Sequence, residues 1–143
     1  MNEEQKIIQK YFLPIAKNPE SLKLSNDAAF INKKRNMVIS SDMMIEDIHF
    51  NRLDDPFCLA KKLLRVNLSD IAAMGANPYG YILNLSIPKL NHKTWLKKFC
   101  RGLAEDTKKF NLKLFGGDLA SSKNIFMSVT ILGLVSQKFH KKM

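Results

Sequence analysis

Between Pro56 and Gly75 the apolar residues Leu59, Ala60, Leu63, Leu64, Leu68 and Ile71 return every three or four positions, the period of a helix face. Asp55 is a capping residue in front of Pro56, and Gly75 ahead of Pro78 is a helix stop. The apolar positions spread over most of the helical wheel, which predicts a buried helix. Asp70 near its end, beside Asn67 and Ser69, is then a carboxylate that needs a hydrogen bond, a paired charge or a metal. A helix end satisfied by a backbone amide is the plain alternative.

The same periods divide the rest of the chain. Ile7, Ile8, Tyr11 and Phe12 give a short amphipathic helix over Glu3 to Phe12, stopped near Pro14. Ala28 to Ile31 and Met37 to Ser41 are apolar runs around the polar segment Asn32 to Asn36, which predicts a β-hairpin. That hairpin would bring Asp27 and Asp42 together at the ends away from its turn. Tyr81, Leu83, Leu85 and Ile87 alternate with Ile82, Asn84 and Ser86, a strand pattern ended by Pro88. A helix follows from about Asn91 to Phe110, with Leu96, Phe99, Cys100 and Leu103 inward. Leu112 to Phe115 reads as a strand, Gly116-Gly117-Asp118 as a tight turn, and Ile125 to Val135 as a long closing strand. The order predicts an α/β (α+β) domain with a mixed, mostly antiparallel sheet and helices on one face.

Composition sets limits on this picture. A chain of 143 residues with 45% hydrophobic content suits one domain with its own core. The first twenty residues lack an apolar run of signal-peptide length, and the longest apolar stretch is interrupted by Ser128 and Thr130, so the expectation is a cytoplasmic protein with no membrane partner. Cys58 and Cys100 have no metal-type spacing and are expected to be buried, reduced thiols. The formal charge of +10 raises nucleic acid as a partner. Its lysines are scattered along polar helix faces without interleaved aromatics, so a solvated surface and no nucleic acid is the expectation.

The candidate chemistry lies in the aspartates. Asp27, Asp42, Asp70 and Asp118 each stand at the end of a predicted element, and if those ends converge, four carboxylates share one site. Such a group repels itself unless cations sit within it, and hard oxygen ligands suit Mg²⁺ bridging to phosphates. Four unrelated surface aspartates are the plain alternative. Gly116 and Gly117 would allow close approach of a phosphate, and no P-loop motif is present.

The segment Asn67-Leu68-Ser69-Asp70-Ile71-Ala72-Ala73-Met74-Gly75-Ala76 closely resembles the NLSDxAAMGA segment of thiamine-monophosphate kinases, within the aminoimidazole ribonucleotide synthetase superfamily. Ser25-Asn26-Asp27-Ala28-Ala29, Ser40-Ser41-Asp42, Glu46-Asp47-Ile48-His49-Phe50 and Gly116-Gly117-Asp118 resemble further family motifs in family order. The resemblance implies an aminoimidazole ribonucleotide synthetase N-terminal-like domain that phosphorylates thiamine monophosphate with Mg²⁺ and ATP, giving thiamine diphosphate. By matched position it implies Asp27, Ser40, Ser41, Asp42, Asp70 and Asp118 as metal ligands, Gly117 and Asp118 at the nucleotide, and His49 at the substrate. It also implies a homodimer through the sheet, and an exposed apolar face of Leu83, Leu85, Met127 and Val129 would suit it.

Departures from the family qualify this expectation. Ser25 and Asn26 replace a glycine and an aspartate, and Leu119 replaces a threonine, changes that would weaken metal binding. The expected organisation is a metal- and ATP-binding domain over residues 1–136 and a basic tail over 137–143. The family's C-terminal domain is read as absent, or as a separate polypeptide. A catalytically inactive remnant, or a dimerising nucleotide-binding domain of the same superfamily, is the alternative function.

Overall fold

The computed structural model describes residues 1–89 and 92–136 of the chain. It opens with α1 (Glu3–Ile7), whose N-terminus is closed by a reciprocal capping box between Asn2 and Gln5 and which runs on as a π-helix over Ile8–Phe12. A 3₁₀ segment, Pro19–Leu24, follows an Asn18 cap. Then come β1 (Met37–Ile45), α2 (Pro56–Ala73), β2 (Asn77–Ile87), α3 (His92–Lys109), β3 (Lys113–Ser121) and β4 (Phe126–Leu134). The capping signals read correctly: the Asp55 side chain accepts from the Phe57 N–H, and Gly75 leaves α2 at φ 68°. The expected basic tail lies outside the described residues.

The four strands form one mixed sheet in the order β1-β4-β2-β3. The β1/β4 and β4/β2 pairs are antiparallel, and β2/β3 is parallel across the α3 crossover. Tyr81, Leu83, Leu85 and Ile87 of β2 and Met127, Val129 and Ile131 of β4 are buried on one face. Helix α2 covers that face, packing on β1, β4 and β2, and α3 packs on α2. An ion pair joins the two helices: the Asp106 carboxylate is fully enclosed and takes two hydrogen bonds from the half-exposed Arg65.

Four expectations are corrected. Ala28 to Ile31 forms no strand; Met37–Ile45 pairs instead with β4, so no hairpin places Asp27 beside Asp42. A run of four apolar residues carries too little pattern to separate a strand from an irregular loop, and here Ala28 and Phe30 are exposed. Gly116-Gly117-Asp118 is no turn either, because β3 continues through it to Ser121. The third correction concerns the open face of the sheet. Leu83, Leu85, Met127 and Val129 are core, and the uncovered face carries Ile39 at 70% exposure, Met43 at 52%, and Ile82 and Phe126. The expectation of two buried cysteines holds for Cys100, whose thiol pKa burial pushes up to about 12, and is corrected for Cys58, which is exposed.

Candidate functional site

Strand alternation turns Ser40 and Asp42 of β1 towards the last turns of α2, where Asp70 stands. The Ser40 hydroxyl donates to Asp70 Oδ2 at 3.1 Å. Burial raises the Asp42 carboxyl above its usual range, and the hydrogen bond to Asp70 and that residue's negative charge raise it further. Two adjoining carboxylates repel each other, which favours the protonated form of one of them or the approach of a cation. Asp70 itself is exposed, which corrects the buried placement expected from its helix. The enclosed polar residue is Asn67, 0% exposed, whose amide donates to the Leu63 carbonyl while its Oδ1 has no partner among the described residues. Asn67 falls in the same apolar stripe as Leu63 and Leu64, so its burial was readable from the period.

Asp27 and Asp118 lie elsewhere. With Gly116, Gly117 and Phe12 they line a cavity of about 420 Å³ at β3. Gly117 has φ 149°, and a Cβ there would stand 1.7 Å from the Leu83 carbonyl oxygen, so only glycine lets β3 approach β2 this closely. Asp118 Oδ1 accepts from the Leu119 N–H at 3.0 Å. Asp42 aligns with Val129 and Leu83 on the helix-covered face, whereas Asp118 aligns with Asn84 and Ser128 on the other. β1 and β3 are the two edges of the sheet, three strand spacings or about 14 Å apart. The four aspartates therefore form no single cluster: Asp42 and Asp70 meet at the β1 edge, and Asp27 and Asp118 line a separate cavity at β3. Among the described residues no three His, Cys, Asp or Glu side chains gather closely enough to hold a metal. Ser41 also faces away from Asp42, bonding the Val129 carbonyl and the Thr130 hydroxyl.

His49 sits in a tight turn after β1. Its Nδ1 accepts from the Ile45 N–H at 2.9 Å, its own N–H donates to the Ile45 carbonyl, and Lys62 bonds its carbonyl. Asp47 in the same turn has φ 68°, and Phe50 closes it by entering the core. Sequence reasoning missed the anchor of this turn: Glu46 is buried and takes two hydrogen bonds from Arg52. An acid and an arginine six residues apart form no recognisable period, so no local signal marks the pair.

The fold and the Ser40, Asp42 and Asp70 group define an α/β domain with an oxygen-rich cluster at one edge of a mixed sheet. Its sequence matches the family described as AIR synthase related protein, N-terminal domain, over residues 25–135. The chain belongs to that family. It is similar to the thiamine-monophosphate kinase of Caulobacter vibrioides, 39% identical over 84% of this chain and 35% of that protein. Among solved structures, the thiamine-monophosphate kinase of Stenotrophomonas maltophilia superposes with a TM-score of 0.76 at 29% identity, over 94% of this chain and 42% of that one. AaThiL complexed with AMPPCP and TMP, from the enzyme of Aquifex aeolicus, gives 0.68 at 25% identity, over 75% and 35%. The chain spans between 35% and 42% of the length of the curated relatives it matches.

Proposed function

We propose that this chain is the ATP- and Mg²⁺-binding N-terminal part of a thiamine-monophosphate kinase, transferring the γ-phosphoryl group of ATP to thiamine monophosphate. The observation that carries the reading is the Ser40, Asp42 and Asp70 group, placed by the segments that match kinase relatives. Its donors are hard oxygens, and Asp42, raised first by burial and then by the adjoining Asp70 carboxylate, shares its place with a second acid, so the residues present fit Mg²⁺. When bound there, Mg²⁺ would offset phosphate charge.

In this reading Ser40, Asp42 and Asp70 hold the cation, and Ser41 supports the strand that carries them. Gly117, Asp118 and Asp27, which line the separate cavity at β3, are the family-matched positions for the nucleotide. His49 meets the thiamine phosphate. Phosphoryl transfer asks for little covalent work from such a chain beyond holding donor and acceptor in line. We further propose a homodimer through the open sheet face, since Ile39, Met43, Ile82 and Phe126 leave apolar surface uncovered. Ile39→Lys is expected to shift the chain towards monomer in light scattering; an unchanged mass distribution would argue against that face. The two free cysteines suit a reducing, cytoplasmic location.

Titration of the chain with an ATP analogue, with and without Mg²⁺, tests the reading. Binding is expected only with Mg²⁺ present. It should weaken as pH falls, because the raised Asp42 carboxyl is protonated at a higher pH than an ordinary aspartate. Equal binding without the cation would contradict the assignment. Cation-dependent binding that never supports turnover, even with the rest of the kinase fold supplied, would favour a non-catalytic nucleotide-binding domain.

A further inference from the structure

Arg52 invites a simple reading as a phosphate ligand: it is half exposed, basic and two residues beyond Phe50. Its hydrogen bonds say otherwise. Nε and one terminal nitrogen are committed to the buried Glu46 carboxylate, and that nitrogen also donates to the Lys123 carbonyl in the β3–β4 connection. Glu46 in turn donates its N–H to the Ile125 carbonyl. The pair thus ties the turn after β1 to the segment entering β4, and an arginine fork satisfied this way recognises its own carboxylate bidentately.

The turn between these anchors has one chemical product. The Ile45 N–H points into Nδ1 of His49, so that nitrogen is an acceptor and the ring proton of the neutral imidazole resides on Nε2. His49 is exposed, which leaves Nε2–H as its outward hydrogen-bond donor. Two bonds to the Ile45 carbonyl, from the N–H groups of Ile48 and His49, and one from Asp47 N–H to the Phe50 carbonyl keep the ring over Ile45.

We propose that Arg52 and Glu46 are positioning residues for substrate recognition: by fixing the turn over residues 45–50 they hold His49 in the Nε2–H tautomer, presenting a donor to an oxyanion. The inference rests on the reading of His49 as the group that meets the phosphate of thiamine monophosphate. The arginine touches no substrate, and its effect passes through the ring. A neutral donor in a fixed tautomer also adds no charge to a site that already handles anions and cations.

Long-range ¹H–¹⁵N spectra of the histidine rings, recorded on the full chain above the imidazole range, test it. The wild-type His49 ring is expected as a single Nε2–H tautomer, and Arg52→Lys, which keeps the charge but loses the fork, as a mixture of both tautomers. Glu46→Gln should give the same mixture, and because Glu46 is buried, Arg52→Lys decides the outcome if Glu46→Gln does not fold. Titration with thiamine monophosphate forms the second arm. The His49 signals should respond in wild type, with affinity about tenfold lower in Arg52→Lys, the scale of one hydrogen bond to a charged group. A single Nε2–H tautomer persisting in a folded Arg52→Lys chain would overturn the positioning role. A tautomer mixture in the variant, with no wild-type response to thiamine monophosphate, would leave the lock standing and remove the substrate contact instead.

Discussion

The 143-residue polypeptide, supplied with Mg²⁺, ATP and thiamine monophosphate, is expected to form thiamine diphosphate at least about 10⁴-fold more slowly than when the rest of a kinase fold is added. Holding two reactants in near-attack geometry is worth effective molarities of about 10⁵ M or more, and that gain needs walls on both sides of the reacting groups. The chain spans between 35% and 42% of its curated relatives, and its carboxylate group lies at one edge of the sheet. Water can reach an edge site and compete for the phosphoryl group. Binding and catalysis separate here, since contacts made only in the transition state are the ones that accelerate transfer. The assay follows thiamine diphosphate, and turnover by the polypeptide alone at a rate matching the complemented mixture would show the walls to be complete within residues 1–143.

Asp70→Asn is expected to weaken cation-dependent binding of an ATP analogue by at least about tenfold, since losing even a residue that only orients a metal ligand costs about tenfold to a hundredfold. The replacement keeps the shape and leaves an oxygen for the Ser40 hydroxyl, so the loss reports charge rather than collapse. The matched control is Asp47→Asn. Asp47 is exposed in a turn at φ 68°, a conformation that asparagine tolerates well, and it lies outside the Ser40, Asp42 and Asp70 group. Its affinity should stay within about twofold of wild type, a change worth less than about 0.5 kcal/mol. Equal losses in the two variants would mean that general electrostatics, not a local site, governs the nucleotide.

Why some of this was legible in the sequence and some was not follows from the physics of each element. Helix α2 could be read nearly to the residue, because Asp55, Pro56 and Gly75 are local signals that act within one turn. Strand β2 was equally clear from its alternation. Alternation shows which residues share a face, however, and is silent about which face a helix will cover. Leu83, Leu85, Met127 and Val129 were correctly grouped and wrongly exposed, since α2 settles on their side. Gly116-Gly117-Asp118 has turn composition, yet Gly117 serves a close approach of β3 to β2, a long-range demand absent from local sequence. That continuation moves Asp118 to the opposite face from Asp42. The motif match singles out candidate residues one by one; that Asp42 meets Asp70 while Asp118 lies across the sheet depends on the strand order and on where α2 packs.

The most direct measurement of the central claim is thiamine diphosphate formation by this chain combined with a polypeptide carrying the remainder of a relative's kinase fold, compared between wild type and Asp42→Ala. The account predicts Mg²⁺-dependent turnover in the wild-type mixture and its loss in the variant, with the variant's fold intact by circular dichroism. Undiminished turnover with Asp42→Ala would contradict the account, because the carboxylate pair would then have no part in the reaction.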